Sequence, residues 1–419
     1  MENISLDFLF IAPTPFYANR GCHMRIRGEA EALQKKGFRV KIVTYRDGED
    51  IPGLLIKRSF YRLGTDPNEV AASWKNLPAS FFLFWTVLHE TVYCRPRVLY
   101  GHLFHGGAIA VAAKYLSLLL TLFQFKPLLV LDTQGSLSNE MREYGMVKGN
   151  FFLSAIRWLE KFILFFPDLT FVSSWDCLVL LKKISARKNI CLVPDGISFF
   201  DTKIYQKKSL RLTAPKDKKQ AIAKLRGTLA KDEILLLFNW LKERKKIILY
   251  TGSFAWAKGL GIFISEALSA LIKNNHLRFL FAGGNLTKLP PEALSQLKAN
   301  REKIIVSPNL NAKNLLYFNL LGDIALDLKP PHSSESSGKI LNYMAAGLPV
   351  VCFDKKNNRF FLGKNGLYAK NYPDFVKLIL NLSGNSYLRN RIRRENLKRA
   401  WGVFTWDKAA EKIIKTCNL

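Results

Sequence analysis

The sequence has 419 residues, 48% of them hydrophobic, which predicts a folded protein with two domains of about 200 residues each. Its 63 Lys and Arg residues outnumber 33 Asp and Glu residues and give a net charge of +30. The six cysteines show no metal-ligand or redox spacing, which argues against a disulfide scaffold and favours a reducing cytosol.

The excess of basic residues points to an acidic partner. We expect no nucleic acid, because the sequence has neither a recognition motif nor a groove pattern of basic and aromatic residues. An anionic membrane surface fits better, since each basic residue near such a surface contributes about 1 kcal/mol. A soluble protein with a lysine-rich composition is the alternative.

The N-terminus and the apolar runs predict a cytoplasmic protein that is at most peripheral on the inner face of the cell membrane. The first residues lack the basic region of a secretory signal. The apolar run Tyr115–Phe125 lies between Lys114 and Lys126 and is too short to span a bilayer. We therefore expect no transmembrane helix.

The first half of the chain alternates between strand and helix patterns. The strand Phe8–Ala12, a loop over Pro13–Gly21, the helix Arg25–Lys36 and the strand Val40–Thr44 form one βαβ unit. The apolar patterns predict further strands at Val98–Tyr100, Leu128–Leu131, Thr170–Val172 and Ile190–Val193, and helices near 76–93, 107–123, 150–165 and 175–184.

Residues 203–246 differ from both halves, with 14 basic residues against 4 acidic ones. The charge predicts a linker leading into the second domain, and a solvated charged face is the alternative. Strands then resume, at Ile247–Thr251, Leu277–Ala282, Ile304–Val306, Ile324–Leu328 and Val350–Phe353, with helices at Leu260–Lys273 and Gly338–Ala346.

This order predicts an α/β protein with two Rossmann-like domains facing each other across a cleft. We place the first domain at residues 1–200 and the second at 201–395. The remaining residues, 396–419, are predicted to form a C-terminal helix that packs back on the first domain.

The second half contains two candidate sites for an anionic ligand. Lys258-Gly259 follows a strand and a turn, so an ammonium group and the N–H groups of a helix start could neutralise a diphosphate. The segment 331–351, PHSSESSGKILNYMAAGLPVV, reads as a serine-rich loop around Glu335, a capped helix and a buried strand. A surface lysine and a solvated glutamate are the structural alternatives.

The first half offers weaker candidates at the carboxyl ends of its strands. Gly21 would let a backbone approach a ligand closely, and His23, Arg25 and Arg27 follow it. Gln134 and Gly135 lie where another strand ends. His102 and His105 lie beside a Gly-Gly pair, and a lone histidine is more often structural than functional. No pair of residues has the spacing of a metal site.

Taken together, these motifs resemble the retaining GT-B glycosyltransferases of family 4 over nearly the whole chain. KKGFRVKIVT at 35–44 resembles the family's first helix and strand, and VPDGI at 193–197 its inter-domain turn. MAAGLPVV at 344–351 resembles the end of its donor-binding motif. Three positions depart from the family pattern: Ser253 replaces an arginine, Asn342 a second acid and Gln134 a histidine.

The resemblance implies a metal-independent hexosyltransferase that uses a nucleotide-diphosphate sugar as co-substrate and needs no cofactor. Glu335 and Lys258 are implied as catalytic residues. The implied donor-binding residues are Gly21, Gly252, Ser253, Lys258, Gly283, Glu335, Ser336, Ser337, Gly338, Lys339 and Asn342, and the implied acceptor-side residues are His23, Arg25, His105 and Gln134.

The acceptor is predicted to be a lipid-linked or lipopolysaccharide-type glycan, as in cell-envelope glycan biosynthesis at the membrane surface. The aromatic and basic residues around Phe60-Tyr61 and the cluster Phe81–Trp85 support this, although that cluster could equally be core. The alternative is a GT-B-like nucleotide-sugar-binding or scaffold protein that has lost catalysis through the three departures. A nucleotide-sugar epimerase would need acidic and histidine groups that the sequence does not bring together.

Overall fold

The structure, a computed structural model, describes residues 6–17, 21–63, 77–143, 147, 149–185, 189–198, 215–255, 258–308, 310, 312–331, 333 and 336–419. The chain forms two compact units. The first contains Met1–Gly196 and Trp406–Leu419, and the second contains Ile197–Ser333 and Ser337–Thr405.

The strands of the two units are numbered in chain order. They are β1 Phe8–Ala12, β2 Val40–Thr44, β3 Leu55–Arg58, β4 Val98–His102, β5 Leu128–Asp132, β6 Leu169–Val172 and β7 Ile190–Leu192 in the first unit, and β8 Lys246–Thr251, β9 Leu277–Ala282, β10 Ile304–Ser307, β11 Ile324–Asp327, β12 Val350–Phe353 and β13 Leu367–Ala369 in the second.

Helices separate nearly all of these strands. Those of the first unit are Gly21–Lys35, Leu77–Cys94, Leu103–Leu120, Leu137–Glu143, Asn150–Phe165, Trp175–Ile184 and Trp406–Cys417. Those of the second are Pro215–Lys224, Lys231–Lys242, Leu260–Ile272, Pro291–Ala299, Ala312–Leu321, Gly338–Ala345, Lys356–Leu362, Tyr372–Gly384 and Ser386–Val403, with 3₁₀ turns at Leu286–Lys288 and Gly363–Asn365.

The first unit is built on a parallel sheet of seven strands in the order β3-β2-β1-β4-β5-β6-β7. Side chains alternate across it: Phe8 and Phe10 of β1 enter the core on one face, and Leu9 and Ile11 enter the core on the other. Both faces are therefore covered, as in a doubly wound sheet. The strand order reverses between β1 and β4, and such a point is where α/β proteins bind ligands.

The second unit repeats this plan with six parallel strands in the order β10-β9-β8-β11-β12-β13. Ile247 and Leu249 of β8 belong to one core, and Ile248 and Tyr250 to the other. Its strand order reverses between β8 and β11, so the carboxyl ends of these two strands are its ligand-binding edge. The predicted fold class, with two Rossmann-like units, is confirmed.

The end of the chain divides between the units. Helix Ser386–Val403 lies in the second unit, so the sequence-based boundary at 396 falls inside a helix. Helix Trp406–Cys417 packs on helix Gly21–Lys35 in the first unit. A Cβ atom added to Gly28 would lie 2.2 Å from the Trp406 ring, so this crossing requires glycine.

The segment predicted as a linker is structured over 215–242, where two helices pack in the second unit. Ile222, Leu237 and Trp240 are buried in its core, although lysines cover the outer surface. Residues 203–214 of that segment lie outside the described residues. The sequence analysis also missed strands β3 and β13.

Among the described residues, one helix, Leu103–Leu120, has the length and apolar composition needed to cross a membrane. Half of it is buried inside the first unit. Half burial is typical of a helix that packs on a sheet. Helix Leu103–Leu120 packs on β4 and β5.

Candidate functional site

The ligand-binding edge of the second unit begins with a glycine-rich loop after β8. Gly259, the residue before helix Leu260–Ile272, has a φ of 83°. A Cβ atom added to it would lie 2.0 Å from the Leu328 carbonyl oxygen, so only glycine lets this loop approach the end of β11. Lys258, directly before it, is therefore held beside a helix start at the carboxyl end of β8.

Helix Gly338–Ala345 is fixed to the same edge by hydrogen bonds. The Thr251 N–H group donates to Tyr343 Oη over 2.7 Å, at the end of β8. Ser337 Oγ donates to Asp327 Oδ1 over 2.6 Å, at the end of β11. The predicted serine cap is not formed by Ser337, whose side chain makes no capping bond to the helix. The start of this helix is thus held at the point where the strand order reverses.

Lysine side chains make this edge strongly basic. Lys339 Nζ lies 4.2 Å from the centroid of the Tyr250 ring and 4.0 Å from Asp327 Oδ1. It also lies 3.2 Å from the position of a Cβ atom added to Gly252. Lys258, Lys329 and Lys355 belong to loops that follow β8, β11 and β12. The arrangement suits an anion with more than one charge.

The other predicted donor residues have different surroundings. Ser253 is exposed beside this loop, and Gly283, with a φ of 97°, follows β9. Ser336 lies two residues before the helix Gly338–Ala345, and Gly338 is its first residue. Glu335 lies outside the described residues. Asn342 is buried, and its side-chain oxygen accepts a hydrogen bond from the Ser198 N–H group over 2.9 Å.

The first unit contains a buried charge network at the carboxyl ends of β4 and β5. Arg25 forms a bidentate pair with Asp132, with Nε–Oδ2 and Nη2–Oδ1 distances of 2.8 Å. Its other contacts are Glu29 at 3.0 Å and Asp195 at 2.8 Å. His102 Nδ1 lies 3.2 Å from Asp132 Oδ2. One guanidinium group thus joins three carboxyl groups that are far apart in sequence.

Burial and the guanidinium group set the charges of this network. Burial raises the pKa of Glu29 to about 8 and outweighs the opposing effect of Arg25. Burial also acts to raise the pKa of Asp132, but Arg25 and His102 overcome it and hold that pKa at about 2. Burial lowers the pKa of His102, so its ring is neutral near pH 7. Arg25 and Asp132 are therefore both ionised, and Arg25 opposes the effect of burial, which raises the pKa of Asp195.

Three side chains of this network, Glu29, His102 and Asp132, could together offer ligand atoms to a metal ion. The Arg25 guanidinium already bonds Asp132 and lies within ion-pair distance of Glu29. A cation placed there would compete with it directly. We interpret the network as a structural ion-pair cluster, with the guanidinium as its cation.

The raised pKa of Glu29 makes the stability of the first unit depend on pH. The pKa is about 8 in the fold, against 4.5 for an unperturbed glutamate. Between these values the folded state keeps a proton that the unfolded state loses. The free energy of unfolding should therefore fall as pH rises, by up to about 1.4 kcal/mol per pH unit for one proton. Glu29→Gln should remove this slope.

Urea unfolding of the wild type and of Glu29→Gln at about pH 5 and about pH 8 tests this expectation. The free energy of unfolding should fall between pH 5 and pH 8 by more in the wild type than in Glu29→Gln. Asp132 does not interfere, because its depressed pKa costs stability only as pH falls from 3.8 towards about 2. Equal changes in both proteins would contradict the assignment.

An apolar groove lies beside this network in the first unit. Its volume is about 560 Å³, and helices Leu103–Leu120 and Asn150–Phe165 supply most of its walls. His105 and Tyr115 are the two lining residues with polar side-chain atoms. The His105 side chain is exposed, and the protein atoms around it lower its pKa from the usual value. A neutral imidazole is therefore available as a hydrogen-bonding group at physiological pH.

The predicted acceptor-side residues do not share one environment. His23 is buried against the rings of Phe16 and Tyr17, and Arg25 is buried in the charge network. Neither side chain presents a surface to an acceptor in this structure. Gln134 has a φ of 54° and its Nε2 donates to Asp132 Oδ2 over 3.3 Å. Gly21, predicted as a donor-binding residue, begins a helix of the first unit, and a Cβ atom added to it would meet open space.

Sequence reasoning missed the Arg25 network and the groove. Asp132 lies 107 residues from Arg25, and Asp195 lies 170 residues from it, so no local pattern joins them. The sequence contained only a weak indication of the groove. Phe104, Ala108, Val111 and Tyr115 follow helical spacing, but the pattern resembles that of any core helix.

Comparison with known proteins agrees with the resemblance drawn from the motifs. Residues 245–385 match the family described as "Glycosyl transferases group 1". No curated protein sequence matches the chain. The matched segment includes β8 to β13 and therefore the whole basic edge of the second unit.

Solved structures resemble the chain over almost its full length. HepE of Anabaena in complex with UDP and glucose has a TM-score of 0.71 at 14% identity, covering 99% of both chains. Sucrose-phosphate synthase from Thermosynechococcus elongatus has a TM-score of 0.70 at 15% identity, covering 98% of both. WaaG, a glycosyltransferase involved in lipopolysaccharide biosynthesis, has a TM-score of 0.65 at 12% identity, covering 97% of this chain and 99% of its own.

At these identities the likeness to solved structures establishes the fold alone, and the family match covers residues 245–385 of the second unit. The chain therefore has the GT-B fold, and its residues 245–385 match the family of group 1 glycosyltransferases.

Proposed function

We propose that this protein is a retaining glycosyltransferase that moves a sugar from a nucleoside-diphosphate sugar to a hydroxyl group of a lipid-linked glycan or lipopolysaccharide-type acceptor. The observation that carries the proposal is the basic edge of the second unit. There, Lys258, Lys339 and the start of helix Gly338–Ala345 meet the carboxyl ends of β8 and β11. A diphosphate group matches that charge and that position.

The donor is proposed to bind through its diphosphate. Lys339 belongs to the helix that follows β11, and its Nζ atom approaches Gly252 in the loop after β8. Ser253 in that loop carries no charge, so it adds no positive charge of its own. The two lysines would together balance much of the charge of a diphosphate. Structures of HepE with UDP and with UDP-glucose support a nucleotide-sugar donor for this fold.

The proposed mechanism is front-face displacement. The bond between the sugar's anomeric carbon and the leaving phosphate oxygen breaks, and the acceptor oxygen bonds the same face of that carbon. The acceptor proton passes to the leaving phosphate. The lysines stabilise the charge that develops on the diphosphate, and Glu335 is proposed to orient the sugar. In this proposal, lysines and helix N–H groups stabilise the leaving group.

The acceptor is proposed to come from an anionic membrane surface, with the protein peripheral on the cytoplasmic face. The first unit exposes Phe60, Phe81 and Trp85, which belong to the aromatic clusters singled out in the sequence. Arg46 lies over the Phe60 ring at 5.9 Å, so basic and aromatic groups adjoin there. Such pairs suit the interface between headgroups and acyl chains. WaaG, named for lipopolysaccharide biosynthesis, shares the fold.

A catalytically impaired nucleotide-sugar-binding or scaffold protein is the second candidate. The observation in its favour is the buried position of Asn342, whose side-chain oxygen is bonded to the Ser198 N–H group. This residue stands where the family resemblance places a ribose-binding acid. The donor would then bind without the usual contact to its ribose.

Thermal-shift measurements with UDP-, GDP-, ADP- and dTDP-sugars, followed by assays of sugar transfer and donor hydrolysis, test both candidates. A donor present at a hundredfold excess over its Kd should raise the Tm by about 5–10 °C. One nucleotide series should give the shift and also show turnover. A shift without turnover would favour the scaffold, and no shift with any of the four would refute both.

A further inference from the structure

The groove of the first unit, here called the helical groove, has mostly apolar walls. Helix Leu103–Leu120 contributes residues spaced along one face, and the neighbouring helix contributes a second such row. The lining residues are Phe104, His105, Ala108, Val111, Ala112, Tyr115, Leu137, Leu159, Phe162, Ile163 and Phe166. Its volume of about 560 Å³ falls in the usual range for ligand pockets, about 300–1,000 Å³.

The helical groove has His105 at one end and Tyr115 at the other. Phe104 and His105 directly follow β4, and Leu137 follows β5, so this end lies at the carboxyl edge of the sheet. Tyr115 lies ten residues further along its helix, about 15 Å away. There its ring meets the Phe166 ring edge to face, with centroids 5.8 Å apart. Because the His105 end lies at the edge where doubly wound sheets bind their ligands, an elongated apolar ligand would carry its polar end there.

The surface around the helical groove exposes large apolar side chains. Trp158 stacks on Phe162 with centroids 5.5 Å apart, and both rings are at least half exposed. The same two helices and the turn after the first expose further large apolar side chains: Leu119, Leu120, Leu122, Phe123, Phe151, Phe152 and Phe165. Large apolar side chains exposed in this number on two neighbouring helices indicate a contact with a partner or a membrane.

The charges on the same surface favour an anionic lipid as that partner. Residues 103–126 contain no Asp or Glu. Residues 150–166 contain one, Glu160, which is buried and accepts hydrogen bonds from Ser136 and Ser138 over 2.9 and 2.5 Å. Arg157 and Lys161, one helical turn apart, are exposed beside the aromatic row. A basic stripe next to an apolar one is the pattern of an interfacial helix.

We propose that the helical groove binds one hydrocarbon chain of an anionic membrane lipid, with the headgroup of that lipid at His105. The inference rests on the proposed function in so far as it identifies this lipid with the lipid-linked acceptor. A chain held in the groove would present its head at the carboxyl edge of the first sheet, where doubly wound units bind their ligands. The exposed aromatic and basic residues would hold the mouth of the groove against the leaflet.

The test uses the full chain and vesicles of phosphatidylcholine mixed with phosphatidylglycerol. A fraction of the phosphatidylglycerol carries a photoreactive diazirine at the end of one acyl chain. Irradiation should label peptides from 104–115 and 159–166. Ala112→Trp fills the groove and should lower the labelling about tenfold, equivalent to about 1.4 kcal/mol. The protein should still sediment with the vesicles, because the exposed aromatic residues and the basic residues Arg157 and Lys161 are retained.

Ala155→Trp is the matched control, since Ala155 is also exposed but lies on the other helix and outside the lining. It should label like the wild type. Equal labelling of Ala112→Trp and Ala155→Trp, or labels confined to other peptides, would overturn the proposal. So would a stable dimer that covers this surface and prevents labelling. If nucleotide sugars fail to bind but peptides of the groove are labelled, the proposed function is wrong and the proposed binding site for a hydrocarbon chain is supported.

Discussion

Replacing Arg25 with methionine should destabilise the first unit by about 3–5 kcal/mol, the usual cost of removing one partner of a buried ion pair. Methionine fills much of the same volume but leaves Asp132 without its guanidinium partner. The Glu29 and Asp195 side chains also lose their contacts with the guanidinium. Urea unfolding followed by circular dichroism measures the loss.

Arg27→Met is the matched control. Arg27 lies on the same helix and pairs with Glu31 over 2.6 Å, but both side chains are partly exposed to solvent. Such a pair is worth about 0–1 kcal/mol, so this variant should remain close to the wild type. A similar small effect for Arg25→Met would show that the network does not hold the unit together. If Arg25→Lys kept full stability yet lost transfer, Arg25 would act on a substrate.

The sheets were predictable from the sequence because their strands are continuous apolar runs. Phe8–Ala12, Val40–Thr44, Leu277–Ala282 and Val350–Phe353 were predicted with the bounds that the structure shows. Strands buried on both faces give this signal. The edge strand β3 was missed, because LIKR is short and alternates between exposed and half-buried side chains.

The packing of the charged segment was not predictable from its charge. Lysines dominate 215–242, and this favoured a linker. The residues that decide its structure are fewer: Ile222, Leu225 and Leu237 are fully buried. An amphipathic helix needs only an apolar stripe to join a core, whatever its exposed face carries.

For the candidate sites too, local sequence patterns revealed only part of the structure. Lys258 and Lys339 could be identified because each belongs to a local motif, a loop or a helix start. Arg25 was predicted on the acceptor side, since an arginine near a glycine loop suits a ligand. Its burial depends on Asp132 and Asp195, more than 100 residues away. Long-range pairs of this kind are set by topology rather than by local sequence.

Lys258→Ala should lower kcat/KM for sugar transfer by about 10²–10³, the usual effect of removing one group that stabilises charge in the transition state. The lysine precedes the helix start at the end of β8, and its ammonium group is proposed to balance the leaving diphosphate. Binding of a nucleoside diphosphate should weaken in this variant, whereas binding of the nucleoside alone should not. Isothermal titration and a transfer assay give the two readouts.

Lys298→Ala is the control for a general loss of positive charge. Lys298 is an exposed lysine in the last turn of helix Pro291–Ala299, and it belongs to the same unit. This variant should transfer sugar at the wild-type rate. An unchanged rate in Lys258→Ala would remove its assignment to the diphosphate.

Lys339→Ala shows whether the basic edge acts as one site. If both lysines bind the same diphosphate, this variant should also weaken nucleoside diphosphate binding without affecting the nucleoside. The double variant should then depart from the sum of the single effects, because groups that contact one ligand are coupled. Additive effects would mean that Lys339 does not contact the same diphosphate as Lys258. Its contacts with the Tyr250 ring, at 4.2 Å from the centroid, and with Asp327, at 4.0 Å, would then stabilise the fold.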